Sequence, residues 1–373
     1  MDIEVIRKIK LELLSDISGV DNTQTANREI PRQLSTEIRG LTNKKSLNMS
    51  IGYSVHPGSQ STNQGKLEIR IHQKRTTSKA YEAAEAVRNS LGEENVNIGF
   101  LEQAVVPKQF SADSTLKESP ILGGRNRPLT LGCSVGHIDG GAGSIGGFLR
   151  DAIGNDYILS CNHVLALGNR ANIGDTIINP GRLGNIMATA EDRIGELGDH
   201  VIFARRHANN SDSAICKLNS EIELLGNKIP DGIGAPNPGE MILPDTGEYP
   251  LSGQAVHKIG MLTGYTTGTL NAVSLDDVQV EMFMDIDGRG LRKEILKFDN
   301  VIEITHSNEE AFSKEGDSGS LVYYCTEDNK NLGLGIVFAG AVYKESPTGK
   351  PTPVTLCCTL KDVVRYYKDV NWV

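Results

Sequence analysis

Apolar residues recur at helical spacing in two stretches of the first hundred residues, and after residue 129 only at the end of the chain. Ile3, Ile6, Ile9, Leu11, Leu13 and Leu14 lie along one side of a helix. Residues 21–29 are polar and read as loose chain. Residues 47–55 alternate as a strand, 57–65 form a polar turn, and 67–72 alternate cleanly as a half-buried strand. Ser78–Leu91 reads as a helix capped by Ser78, with Ala80, Ala84, Val87 and Leu91 on one face. Val96–Leu101 returns as a strand. Residues 1–105 are therefore expected to form a helix plus a small α+β domain. Residues 106–127, with prolines and Gly123-Gly124, read as a linker.

From Leu129 onward the apolar runs are short and broken by Gly, Asn, Asp and Pro, the pattern of an all-β barrel or sandwich. Residues 145–150 and 157–160 flank a turn and predict a hairpin. Residues 258–273 and 278–285 predict a second strand pair, and 321–325 with 334–338 a third. Only the tail, 359–367, invites a helix. Residues 128–373 thus form the expected β domain.

The length of 373 residues accommodates two domains. A net charge of -9 argues against nucleic acid or an anionic membrane as partner. No apolar run approaches the ~20 residues a bilayer span needs. The first residues carry acids and lack a secretory apolar core, so a cytoplasmic location is expected. Cys133, Cys161, Cys216, Cys325, Cys357 and Cys358 are expected to be reduced and core-filling. They lack zinc-ligand spacing with histidine support, so no metal or other cofactor is expected.

The chemistry centres on Gly316-Asp317-Ser318-Gly319-Ser320. A serine hydroxyl is a weak nucleophile until a base takes its proton and donors hold the oxyanion it creates. Flanking glycines allow a tight turn that aims backbone N–H groups at one point. The base is His163, at the end of the apolar run 157–160. The acid is Asp212, between an asparagine turn and the apolar run 214–218. The order His163, Asp212, Ser318 sets this chain apart from two other hydrolase arrangements of the same triad. Alone, the glycine-flanked serine also fits an ordinary turn. Cys161 lies two residues from His163, but nothing around it builds a nucleophile turn. The other seven histidines, His56, His72, His137, His200, His207, His257 and His306, read as surface or core residues, with His306 also placed for a cleft.

The segment around Ser318 resembles the nucleophile segment of chymotrypsin/trypsin-like serine proteases, and Ser160-Cys161-Asn162-His163 matches their histidine segment. Residues 335–340 resemble the strand that walls the substrate cleft, and 256–270 resemble a Thr-Thr-Gly segment of bacterial members such as the streptogrisins. A narrower resemblance, to narrow-leaf-type proteases and bacterial intracellular trypsin-like relatives, covers roughly residues 125–373. It rests on Arg127-Pro128-Leu129, residues 132–136 and 143–148, Gly174-Asp175, Pro180-Gly181 and Phe312-Ser313.

The resemblance implies two six-stranded β-barrels with the triad in the cleft between them. It implies a serine endopeptidase acting through an acyl-enzyme, with Gly316 and Ser318 N–H groups as the oxyanion hole. Phe338, Ala339 and Gly340 are expected to pair with an extended substrate, and Phe312 to sit at the base of the specificity pocket. No cleavage site for maturation is evident, which leaves Asp317 for a partner inside the chain. Regulation is assigned to the N-terminal domain, a protein partner or homo-oligomerisation, and the substrate is protein or peptide. The alternative is a catalytically silent or self-processing peptide-binding module using the same cleft.

Overall fold

The computed structural model describes residues 1–18, 28–42, 47–57, 63–73, 78–106, 119–182, 188–244, 249–285, 290–306 and 311–373. The loose segment expected at 21–29 falls mostly outside them.

The short alternating runs close into two rings of six strands. In the first, a strand bent at 145–146, Gly143–Ser144 continuing as Gly147–Asp151, pairs with Asp156–Ser160. The ladder passes through Ala214–Leu218, Arg193–His200 and Thr176–Ile178 to Ser134–His137, which pairs back onto Gly143–Ser144. In the second, Ala255–Gly260 pairs with Gly264–Asp276, and the ladder passes through Val301–His306, Thr352–Thr359, Asn331–Lys344 and Leu321–Cys325 back to Ala255–Gly260. Ring closure removes the exposed strand edges that invite aggregation.

The expected hairpins 145–150/157–160 and 321–325/334–338 are present. The expected run 258–273 is instead a hairpin of its own, turning at 261–263 between Gly260 and Gly264, the latter at φ +66°. Residues 278–285 do not pair with it. Asp277, at φ +62°, separates the two strands, and Val278–Met284 pairs with Arg292–Phe298 outside the ring. The tail helix is Leu360–Tyr366. A strand absent from the sequence reading, Val370–Trp372, follows it and adds to Gly147–Asp151.

The N-terminal elements are helices Ile3–Ser18 and Arg32–Thr42, antiparallel strands Met49–His56 and Gln64–His72, helix Ser78–Leu91, and strand Val96–Leu101. Helix Ser78–Leu91 is the crossover between two parallel strands. Helix Arg32–Thr42 was hidden in sequence, because only Leu34 and Ile38 mark its apolar face.

This sheet does not stand apart. Met49–His56 pairs with the far end of Gly264–Asp276, at Ile51↔Asp276 and Tyr53↔Val273. Val96–Leu101 pairs with the far end of Asn331–Lys344, at Tyr343↔Leu101. The apolar faces of the helices share one core with Val256, Leu270, Ile304 and Phe312 of the second ring. Buried charges reinforce the junction. Arg70 is paired with Glu303 at 2.9 Å and Glu68 at 3.0 Å, and Lys10 with Asp276 at 2.8 Å. Removing one partner of such a pair strands a charge in the interior. Part of the expected linker is packed as well: Leu122 is fully buried.

Candidate active site

Strand Asp156–Ser160 ends at Cys161, and the chain enters a single helical turn, Asn162–Leu165. Asn162 anchors that turn by donating to the Val201 carbonyl and to Asn169. His163 is held twice by one carboxylate. Its backbone N–H donates to Asp212 Oδ1 at 3.1 Å, and its Nδ1 lies 2.5 Å from Oδ2. Asp212 is fully buried, so the paired imidazole is what keeps that charge tolerable. This arrangement fixes which imidazole nitrogen faces away from the acid.

Asp212 is itself tied to the second ring, since its N–H donates to Cys358 Sγ at 3.2 Å. Ser213, next to it, shares a hydrogen bond with the buried Tyr367 hydroxyl at 3.1 Å.

Ser318 stands on the turn between Gly316 and Ser320, at the start of the second ring's strand Leu321–Cys325. Its hydroxyl has no direct hydrogen bond to the imidazole among the described residues. Such bonds commonly tighten only when substrate arrives. The turn is stitched to the first ring by Ser144. Ser144 N–H donates to Ser318 O at 2.7 Å, and Ser144 Oγ donates to Gly316 O at 3.2 Å and accepts Met261 N–H at 2.9 Å. Gly143 lies so close that an added Cβ would fall 2.5 Å from Val164 and 2.8 Å from Ser318 O. Val164 adjoins His163, so the imidazole segment and the nucleophile turn meet across the same inter-barrel seam.

The turn's own hydrogen bonds are selective. Asp317 N–H donates to Lys314 O, Gly319 N–H to Val337 O, and Ser320 N–H to Asp317 O. Gly316 N–H and Ser318 N–H have no acceptor among the described residues. Gly316 adopts φ +107°, a conformation that glycine takes without strain.

Asp317 finds its partner inside the chain. Its fully buried carboxylate accepts from Leu262 N–H, Thr263 N–H, Thr263 Oγ1 and Lys314 N–H, and lies 3.4 Å from Lys258 Nζ. Lys258 is equally buried and donates to Thr263 Oγ1 at 2.7 Å. Desolvation lowers the lysine's pKa, and Asp317 opposes that shift. The sequence reading missed Lys258, Thr263 and Ser144. The available signal was a lysine between Val256 and Ile259 in a strand whose other inward positions are apolar.

Of the residues expected to bind substrate, Phe338 is fully buried, its ring 4.9 Å from Phe298. Ala339 is buried too, and Gly340 is exposed. Phe312, expected at the base of the specificity pocket, packs beside Gly268. It is fully buried, with its ring edge 2.8 Å from where a Gly268 Cβ would sit. Its neighbour Ser313 shares a 2.6 Å hydrogen bond with Thr355. His306 lines a cavity of about 940 Å³ between the N-terminal sheet and the second ring, away from the triad.

Cys161, His163 and Asp212 place their ligand atoms within 4.8 Å of one another. The hydrogen bonds already account for this cluster. Cys161 Sγ donates to Val337 O, and burial, assisted by Asp212, pushes that thiol well above its usual pKa. It is a packed, protonated thiol rather than a thiolate nucleophile or ligand. All six cysteines are free.

No protein-family model matches the chain, and no curated protein does. Solved structures of serine proteases resemble it at low identity. A glutamic-acid-specific serine protease described as using a histidine triad in substrate binding is 16% identical over 66% of this chain and 100% of its own, with a TM-score of 0.41. Protease A of Thermobifida fusca is 14% identical over 68% and 98%, with a TM-score of 0.38. A chymotrypsin of Cellulomonas bogoriensis is 16% identical over 68% and 98%, also at 0.38. Among the described residues, no helix is long and apolar enough to cross a membrane.

Proposed function

We propose that the chain is a serine endopeptidase. Ser318 Oγ attacks the scissile carbonyl while His163 takes its proton. His163 then gives that proton to the leaving amine, and water releases the acyl-enzyme by the reverse steps. Asp212 holds the imidazole tautomer and stabilises the imidazolium. The oxyanion is received by Gly316 N–H and Ser318 N–H. Each donor of this kind lowers the barrier by about 3 kcal/mol. Every step uses groups of this chain, and the substrate is an extended peptide lying along residues 338–340.

The observation that carries this reading is the pair of unfilled N–H groups flanking Asp317, on a turn stitched to the segment of a carboxylate-held histidine. A turn with a purely architectural role would satisfy those donors, since buried amides are almost always paired. The Lys258–Asp317 contact supports a turn shaped without prior cleavage of the chain.

A fluorophosphonate probe tests the reading. Labelling is expected in the unmodified protein and lost in Ser318→Ala. Absence of labelling under all conditions, with no peptides appearing in a treated lysate relative to Ser318→Ala, leaves only the silent peptide-binding reading.

A further inference from the structure

The strand Asn331–Lys344 has two edges. One pairs with Thr352–Thr359 along much of its length. The other pairs with Leu321–Cys325 as far as Ile336, and then with the nucleophile turn itself: Gly319 N–H donates to Val337 O, and Val337 N–H donates to Ser320 O at 3.0 Å. Beyond Val337 this second edge runs on past Ser318. It is the edge a peptide would add to if it entered the site as an extra strand.

That edge is taken by the chain itself. Gly340 pairs antiparallel with Val105, Glu102 N–H donates to Val342 O at 2.8 Å, and Tyr343 pairs with Leu101. The far side of the same segment is also held: Ala104–Val105 pairs parallel with Val278–Met284, and Val106 N–H donates to Glu281 O at 2.9 Å. Ala104 is fully buried, Val106 nearly so, and Val105 is partly exposed. The slot is therefore gripped from both edges and accepts a small side chain at its centre.

Direction matters as much as position. Asn331–Lys344 runs away from Ser318, so an antiparallel segment beside it runs toward Ser318. Residues preceding a scissile bond must run that way. From Val337 to Gly340 is three residues, about 10 Å of strand, so Val105 lies within a few residues' reach of the nucleophile. The next described residue beyond Val106 is Ser119, whose N–H donates to Met261 O at 2.9 Å. The Met261 sulfur lies 3.1 Å from where a Gly316 Cβ would sit.

We infer that residues 101–106 occupy the acyl-side binding slot of the site as a built-in, substrate-like strand, so that the protein as folded is self-occluded. The inference rests on the serine-protease reading and adds two things to it. The slot recognises an extended backbone with a small residue at the position of Ala104, and an external substrate must displace this strand. Where only a fraction of molecules has the slot open, apparent affinity falls by that fraction.

Two variants of the full-length chain test it. Ala104→Asp puts a carboxylate into the buried slot, and Glu102→Pro removes the N–H that bonds Val342. Each, if near-ultraviolet circular dichroism shows it folded, should raise kcat/KM for peptides with six residues before the cleaved bond by about tenfold or more. Fluorophosphonate labelling of Ser318, which does not need the slot, should change far less. Unchanged kcat/KM in folded variants that still label overturns self-occlusion and leaves the protease reading standing. Loss of labelling in every form, the unmodified chain included, overturns both.

A measurement needing no strand variant runs beside these. A fluorescent peptide of residues 98–106 is bound to Ser318→Ala, with occupancy followed by anisotropy. Hydrogen exchange at the Glu102 and Val106 amides should speed up as the peptide saturates. Unchanged protection at saturation overturns the inference.

Discussion

Each barrel buries one carboxylate at the seam, and the two are used differently. Asp212, in the first, spends both oxygens on His163, one on its backbone N–H and one on its Nδ1. Asp317, in the second, is surrounded by backbone N–H groups, a hydroxyl and a lysine, none of which needs to change state. The first acid holds a single side chain, and the second gathers the backbone of a turn. The barrels differ in the same sense. The first closes with one added edge strand, whereas the second shares its core and its sheet with the N-terminal elements.

Breaking the first acid should cost chemistry. Asp212→Asn is expected to lower kcat by about 10⁴-fold, since the wrong imidazole tautomer then faces the serine, with the melting temperature nearly unchanged. A steady-state assay beside a thermal melt checks both halves. Breaking the second should cost structure. Lys258→Met leaves Asp317 buried without its cation and is expected to destabilise the fold by about 3–5 kcal/mol, read by urea titration. Lys258→Met combined with Asp317→Asn should recover part of that loss. If Lys258→Met lowers kcat at unchanged stability, the contrast between the two acids fails.

Acid should separate the barrels further. His72, in the N-terminal sheet, is desolvated by burial and its pKa is lowered to about 4. The unfolded chain takes up that proton near 6.5 and the folded chain only near 4. Stability from this group is therefore full above about pH 6.5 and is lost as pH falls toward 4, by roughly 3 kcal/mol in all. Melts at pH 7 and pH 4.5 should show this fall, and His72→Asn should flatten it. The smallest effect is expected at the rim of the first barrel. Arg125 pairs with Asp192 at 2.7 Å and with Glu191 near solvent. Arg125→Ala should shift the melting temperature only slightly, and less still in high salt, because solvent and ions screen the pair.

Local contrast in the chain foretold a good deal of this. A strand ending at a histidine, an acid between polar and apolar runs, and a serine between glycines are each visible within ten residues. Short alternating runs pointed only to an all-β domain, a barrel or a sandwich; the two barrels came from the family resemblance. Partnerships were hidden. Strand edges offer the same N–H and C=O groups whatever the sequence, so nothing in residues 49–56 or 101–106 announces that they pair with 273–276 or 340–343. Register is set by tertiary packing. Lys258 was missed for another reason: nothing near it in the chain announces that a strand lysine is buried against Asp317. Phe312, expected at a pocket base, is fully buried with its ring against Gly268, a packing that chain position alone does not reveal.

Ser144 has a mechanical consequence. One residue of the first barrel grips the nucleophile turn through its amide and its hydroxyl, and it also holds the hairpin tip that clasps Asp317. A hinge between the barrels would have to tear all three contacts together. Cohesion of the two halves and the shape of the Ser318 turn should therefore rise and fall as one quantity. In a denaturant series, activity should vanish where the halves part and not before.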